Sequence, residues 1–220
     1  ELVSVLPISF TVDDNISVSN PIGEEGDKLF AKAVVSSSLK SEIYPLIGIV
    51  SSLGISIVDI VYKSQADYYA VSNNSLDRKL GCIINLGGDV TTISIFNKGI
   101  MIKNSYIPLG SSSVDKDISF VYKVDIKTAR HLKETFALAV PRYADKNDSI
   151  EVVTLENKNI TITQNEISKV IESRLNEILK LAKNEINRLT KREISYIIVV
   201  GGISELAGFN YIVEDVLSRN

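Results

Sequence analysis

The alternation of apolar and polar positions over the first third of the chain predicts a small α/β unit. Val3–Phe10, Leu29–Val35 and Ile55–Val61 are rich in β-branched and aromatic residues and are predicted to be strands. Between the second and third of these strands, apolar residues have the i, i+3, i+4, i+7 spacing of an amphipathic helix (Ile43, Leu46, Ile47 and Val50). Ser41 would be its N-cap. A shorter helix is predicted over Ser64–Val71.

The second part of the chain predicts a sheet followed by helices. Strands are predicted at Leu80–Leu86, Thr91–Phe96, Ile100–Pro108, Ser149–Leu155, Asn159–Thr163 and Ser195–Val200, and helices at about Ser112–Val121, Ile126–Phe136 and Phe209–Ser218. The longest helix opens with a capping box at Thr163 and Glu166, and its one-sided apolar stripe is expected to cover a sheet. The polar residues 73–75 separate the two parts, so we predict domains at residues 1–75 and 76–220.

Composition narrows the class of protein. The chain has 220 residues, of which 45% are hydrophobic, and its net charge is −3 with both signs scattered along it. Because a nucleic-acid surface needs a concentrated basic stripe, nucleic acid is not expected as a partner. The single cysteine, Cys82, lies in an apolar run and predicts neither a disulfide nor a metal site. No apolar stretch approaches the ~20 residues of a membrane-spanning helix.

Two glycine loops are candidates for a phosphate or nucleotide site. The first, Asn85–Thr92, reads Asn-Leu-Gly-Gly-Asp-Val-Thr-Thr, and its glycines would let backbone N–H groups face a phosphate while a threonine adds a hydroxyl. The second, Gly201-Gly202, follows a strand predicted to be buried and precedes a helix. Taken singly, each loop is at least as often a simple turn.

The order of these features along the chain favours a nucleotide site over two unrelated turns. Three strands with a glycine loop, an inserted subdomain, a long helix and a strand-Gly-Gly-helix unit follow one another. This is the layout of the second half of an actin-type ATPase fold, an α/β, ribonuclease H-like architecture. We therefore expect the two glycine loops to form opposite walls of one purine-nucleotide pocket.

The detailed resemblance is to the bacterial cell-division family FtsA. Residues 5–13 (Val-Leu-Pro-Ile-Ser-Phe-Thr-Val-Asp), with Asn20-Pro21-Ile22-Gly23 and Gly26, resemble the opening of the family's 1C subdomain. The other similar segments are residues 80–96 (second phosphate loop), Ile107–Gly110 with Asp117-Ile118, Ala129–Lys133 (the A-E-x-x-K segment) and Val199–Gly208 (adenosine loop).

The resemblance implies a division of the chain and a set of partners. Residues 1–75 would be subdomain 1C, which mediates filament formation and contacts other division proteins. Residues 76–121 and 166–220 would form subdomain 2A. The inserted residues 122–165 would form subdomain 2B, which binds the tail of FtsZ. Such a protein works at the cytoplasmic face of the inner membrane at the division site, where a C-terminal amphipathic helix attaches it to the membrane.

The resemblance also implies ATP and Mg²⁺ in a cleft between two large domains. The nucleotide-binding residues carried over are Asn85, Gly87, Gly88, Thr91, Gly110, Lys133, Gly201 and Gly202. No catalytic residue and no metal ligand is assigned, because Asn85 stands where the family has an aspartate. Asp89 replaces a glycine that would face the phosphates, and Arg130 replaces the glutamate of the A-E-x-x-K segment.

Three functional hypotheses follow. The chain opens in the middle of a strand-like pattern, so we expect a fragment that lacks the family's first phosphate loop and its C-terminal helix, and that does not hydrolyse ATP. The intact protein would be a nucleotide-binding division scaffold with weak or no hydrolysis. The alternatives are an active ATPase in which another carboxylate compensates for Asn85, and a pilus-assembly relative of the same superfamily.

Overall fold

The computed structural model describes residues 2–13, 17–18 and 20–218. They form two compact units, which are Glu1–Lys79 with Phe96–Ile102, and Leu80–Ile95 with Lys103–Asn220. The assignment of residues 1–75 to subdomain 1C, and of 122–165 to an inserted subdomain, stays a prediction.

The first unit contains a small antiparallel sheet and two helices. Strands β1 (Leu2–Val12), β2 (Ser17–Val18) and β3 (Leu29–Ser37) lie in the order β2-β1-β3, with β1 antiparallel to both neighbours. Helices α1 (Lys40–Ser52) and α2 (Lys63–Val71) follow. Tyr68 of α2 stacks on Phe96, with ring centroids 4.6 Å apart, and its hydroxyl donates to Asp77. Strands β1 and β3 and helices α1 and α2 match the sequence predictions, whereas the two-residue strand β2 was not predicted.

Two local predictions for this unit are wrong. Residues 55–61 form no strand, and Val58 is 98% exposed. Their β-forming composition is insufficient because a strand needs a hydrogen-bonded partner, and none pairs with them in the described sheets. Ser41 is not an N-cap: α1 begins at Lys40, after Leu39, which provides no side-chain cap.

The second unit is organised around a four-stranded sheet. Strands β4 (Leu80–Leu86), β5 (Thr91–Asn97) and β6 (Ile100–Ile107) are joined by tight turns, with Lys98 and Gly99 in the left-handed region between β5 and β6. Strand β9 (Tyr196–Val200) completes the order β6-β5-β4-β9 and runs parallel to β4.

Four α-helices, a hairpin and two short 3-10 helices (Pro141–Tyr143 and Gly202–Glu205) are also described in this unit. In chain order, the α-helices and the hairpin are α3 (Ser111–Tyr122), α4 (Ile126–Thr135), the hairpin strands β7 (Ser149–Val153) and β8 (Asn159–Thr163), α5 (Gln164–Leu189) and α6 (Phe209–Leu217). Asp125 caps α4 by accepting from Lys127 N and Thr128 N. The predicted capping box of Thr163 and Glu166 opens α5.

Helix α5 connects the two hydrophobic clusters of this unit. Its C-terminal half packs Ala182, Ile186 and Leu189 against sheet residues that include Cys82 and Ile93. Its N-terminal half packs into a cluster shared with α3, α4 and α6. The prediction that the apolar stripe covers a sheet is therefore confirmed for the second half of the helix.

Strand β9 differs from its predicted environment. The sequence suggested a buried strand, but β9 is at the edge of the described sheet and none of its residues is buried. Ile197 is 37% exposed. An uninterrupted apolar run does not by itself distinguish a central strand from an edge strand.

Candidate nucleotide site

The parallel pairing of β4 and β9 brings the two glycine loops to one edge of the sheet. Asn85 lies beside Val200 in the strand register, so both strands end at the same level. Gly87-Gly88 follows one strand and Gly201-Gly202 follows the other. The carboxyl edge of a parallel pair is where α/β proteins bind ligands.

The backbone conformation and the close packing at position 201 require a glycine there. Its φ is +119°, a conformation that L side chains rarely adopt. A Cβ added there would overlap the carbonyl oxygen of Leu86. The second glycine loop therefore lies directly against the start of the first.

The N-terminus of α3 packs against the first glycine loop, and Gly87, Gly88, Gly110 and Gly201 are together called the glycine junction below. A Cβ at Gly110 would overlap the carbonyl oxygens of Gly87 and Gly88. The next two backbone amides, of Ser111 and Ser112, donate to those same carbonyls, each at 2.8 Å. Two of the N–H groups that a helix leaves unpaired are thus satisfied by the first glycine loop.

A cavity of about 310 Å³ opens beside this junction and is called the α4 cavity below. It is lined by Ser111, Lys133, Glu134, Gly202, Ile203, Glu205 and Leu206. Gly202 is the one lining residue from the two glycine pairs, and no residue of Asn85–Thr92 lines the cavity. The start of α3, which packs onto that loop, contributes Ser111 instead. That the two loops together bind a nucleotide stays a prediction.

Comparison with known proteins gives the family. The sequence model of the family described as "Cell division protein FtsA" matches residues 82–220. The chain belongs to this family. It is 28% identical to the cell division protein FtsA of Bacillus subtilis (strain 168) over 172 residues, which cover 77% of this chain and 39% of that protein. The chain thus spans about two-fifths of the length of this FtsA.

Solved structures show that the FtsA-family chain has an actin-like fold. MreB5 of Spiroplasma citri bound to AMPPNP superposes with a TM-score of 0.69 at 20% identity, covering 83% of this chain and 59% of that one. A PilM-PilN type IV pilus biogenesis complex superposes with a TM-score of 0.65 at 14% identity, covering 99% and 54%. At these identities the likeness concerns the fold alone.

Lys133, which the FtsA resemblance places near the nucleotide, is held by a buried carboxylate. Its Nζ lies 2.7 Å from Oδ1 of Asp115 on α3, and both side chains are less than a tenth exposed. The other oxygen of Asp115 accepts from Nε of Arg130 at 3.2 Å. Sequence reasoning missed Asp115, since nothing in the sequence brings α3 and α4 together.

The two threonines of the first glycine loop have different environments. Thr91 is fully buried, and its hydroxyl donates to the carbonyl of Leu109 at 2.7 Å. The hydroxyl oxygen of Thr92 is buried and has no hydrogen-bond partner among the described residues. Because Gly87 N donates to Val90 O across the turn, Thr92 faces Asn85 on the neighbouring strand. The Thr92 hydroxyl is thus left without a partner within the described part of the chain, whereas the hydroxyl of Thr91, which the sequence indicated for a ligand, is occupied by the carbonyl of Leu109.

The remaining residues predicted for the site lie around the same junction. Gly88 and Asp89 are exposed at the tip of the first loop, and Gly202 is exposed in the wall of the α4 cavity. Asn85 and Gly87 are half-buried. The structure thus brings the predicted residues to one edge of the second unit, with Lys133 reaching the edge from α4.

The charged residues around this edge of the sheet include few possible metal ligands. Within residues 2–13, 17–18 and 20–218, no group of three or more His, Cys, Asp or Glu side chains could hold a metal ion. Asn85 supplies a neutral amide where Mg²⁺ prefers a carboxylate. No described helix is long and apolar enough to cross a membrane.

Proposed function

We propose that the intact protein is a nucleotide-binding, actin-like scaffold of cell division in which hydrolysis is weak or absent. The observation that carries this proposal is the convergence of Gly87-Gly88, Gly110 and Gly201-Gly202 beside the α4 cavity. A volume of about 310 Å³ is at the lower end of the range for small-molecule sites, which suits a nucleoside.

Each part of the site would have a distinct task in binding ATP. The apolar side chains of Ile203 and Leu206 provide a surface for a flat base, and the exposed backbone at Gly202 permits close approach. The exposed tip of the first glycine loop at Gly88 would face the phosphates.

Weak turnover follows from the residue at the end of β4. Phosphoryl transfer relies on metal ions and positioned charge, and Asn85 contributes no negative charge at this point. Mg²⁺ would be held mainly by the ATP phosphates, to which this end of β4 adds only the neutral amide of Asn85. ATP would then act as a structural or regulatory ligand.

Equilibrium binding and turnover should be measured on the same preparation of the full-length protein. ATP binding by calorimetry without phosphate release in a coupled assay supports the scaffold. Phosphate release that accompanies binding in the unsubstituted protein would instead support the ATPase hypothesis, with a carboxylate from another part of the chain. Asn85→Asp tests the proposed defect and should raise phosphate release at least tenfold, a barrier change of about 1.4 kcal/mol.

We further propose that the FtsZ tail, the partner that the family resemblance assigns to subdomain 2B (residues 122–165), binds where this subdomain meets the end of α3, at residues around 116–126 and 155–156. Phe120 and Leu155 are 85% and 68% exposed and line a groove that also carries Lys116 and the ion pair of Lys123 with Glu156. This composition suits a peptide with apolar and acidic side chains.

A labelled FtsZ-tail peptide tests this surface by fluorescence anisotropy. Phe120→Ser should weaken binding about tenfold, because an exposed aromatic anchor is lost. Tyr106→Ser is the control, since Tyr106 is also strongly exposed but lies on β6. Equal affinities of the two variants for the peptide would exclude the groove as its binding site.

The same proposal includes three further roles that the family resemblance implies. Residues 1–75 would mediate filament formation and contact other division proteins. A C-terminal amphipathic helix of the intact protein would attach it to the membrane.

A further inference from the structure

The α4 cavity has an unusual charge balance for a site that takes a polyanion. Lys133 is the single cation among its described lining residues, which also include Glu134 and Glu205. A free lysine amine would attract a phosphate chain, whereas exposed carboxylates would repel it. The state of the Lys133 charge therefore determines which part of a nucleotide the cavity favours.

Asp115 compensates that charge. Its carboxylate is 3% exposed and lies 2.7 Å from the Lys133 amine, which is 7% exposed. A buried carboxylate of this kind is stable only when it is paired, and the same holds for the amine. Lys133 can then offer a directed N–H and its aliphatic stem to a ligand, but little net positive potential.

Arg130 does not restore the positive charge within the cavity. Its guanidinium also pairs with Asp115, but the side chain is 55% exposed and does not line the cavity. Water and salt screen an exposed charge far more than a buried one. What remains facing the cavity is a neutralised ion pair and two carboxylates.

We propose that Asp115 is a positioning residue of the nucleotide site, which cancels the charge of Lys133 and so makes the α4 cavity select the nucleoside over the phosphate chain. This inference rests on the proposed nucleotide binding. It assigns Asp115 a role in ligand preference that a purely structural ion pair would not have.

The test compares the affinities of the full-length protein for adenosine and for ATP, measured by calorimetry in EDTA so that the phosphates keep their full charge. The readout is the dissociation constant of adenosine divided by that of ATP, because a general loss of structure weakens the binding of both ligands alike. Asp115→Asn should raise this ratio about tenfold, since an unpaired Lys133 would attract the phosphates and so tighten the binding of ATP.

The double variant Asp115→Asn, Lys133→Met keeps the inference testable if the single variant does not fold. It removes both charges of the buried pair, which proteins often tolerate. We expect both ligands to bind more weakly, with the ratio within about threefold of the unsubstituted protein. A fall of the ratio by tenfold would mean that Lys133 acts as an uncompensated phosphate ligand, and would overturn the inference.

Asp117→Asn is the matched control on the same helix. Asp117 pairs with Arg174 and does not line the α4 cavity, so its ratio should not change. An equal shift in the Asp117 and Asp115 variants, or no shift in the folded Asp115 variant, would overturn the inference while leaving nucleotide binding intact. Failure of the unsubstituted protein to bind either ligand would overturn the proposed function, and this inference with it.

Discussion

Arg174 on α5 donates two hydrogen bonds to the carboxylate of Asp117 on α3, from Nε at 2.5 Å and from Nη2 at 2.8 Å. The two side chains are 25% and 28% exposed, so solvent only partly screens the pair. The hydrogen bond to Asp117 is the main cause that raises the pKa of Arg174 above its usual value. This pair fixes α3, which carries the N-terminus at the glycine junction, to the longest helix.

A double-mutant cycle should detect this link. We expect Asp117→Asn and Arg174→Gln to show a coupling free energy of about 1 kcal/mol in urea unfolding, at the upper end for partly exposed pairs, because the contact is bidentate. The coupling should decrease in 1 M salt. Additive effects of the two substitutions would show that the pair contributes nothing measurable to stability.

Gly110→Ala should disrupt the glycine junction. The new Cβ would overlap the backbone oxygens of Gly87 and Gly88, and backbone cannot move aside as a side chain can. We expect a loss of about 1–3 kcal/mol in the free energy of unfolding, together with loss of nucleotide binding. Gly88→Ala is the control in the same loop, because its Cβ would lie at an ordinary 3.5 Å from Ser112 Oγ. Equal stability of the two variants would contradict the close approach.

The cap of α4 should make stability depend on pH. The hydrogen bond from the Thr128 side chain is the main cause that lowers the pKa of Asp125. Because the folded-state pKa lies below the unfolded value, the stabilisation is present above the unfolded pKa and is lost as the pH falls through the folded one.

Asp125→Ala should therefore lower the thermal midpoint at pH 7, and the difference from the unsubstituted protein should shrink toward pH 3. Asp125→Asn, which keeps a capping oxygen without the charge, should fall between the two at pH 7. A midpoint difference for Asp125→Ala that is the same at pH 7 and pH 3 would exclude the charged cap. The measurement is circular dichroism at 222 nm over this pH range.

Cys82 should be unreactive in the folded protein. It is fully buried in β4, and desolvation raises the pKa of its thiol to about 12. Because the thiolate is the reactive form, a disulfide reagent at pH 8 should label the native protein only as fast as it unfolds, and the urea-unfolded protein within minutes. Rapid labelling of the native protein would show that β4 is exposed in solution.

The sequence by itself determined the features whose causes lie within a few residues. The apolar spacing from Ile167 to Leu189 defined the longest helix, and the side chains of Thr163 and Glu166 defined its start, because both patterns depend on contacts within one or two helical turns. The turn at Lys98-Gly99 and the cap at Asp125 also depend on contacts between residues that are close in the sequence. The order of the two glycine loops along the chain and the segments that resemble the FtsA family predicted the actin-like fold.

Only the tertiary structure decided the features that depend on which elements become neighbours. The edge position of β9, the absence of a strand over residues 55–61 and the burial of Thr91 all follow from pairing partners that are distant in the sequence or missing. The pairing of Asp115 with Lys133 follows from the way α3 packs on α4. Short-range patterns specify helices and turns, whereas the charge and shape of a cavity arise where separate elements meet.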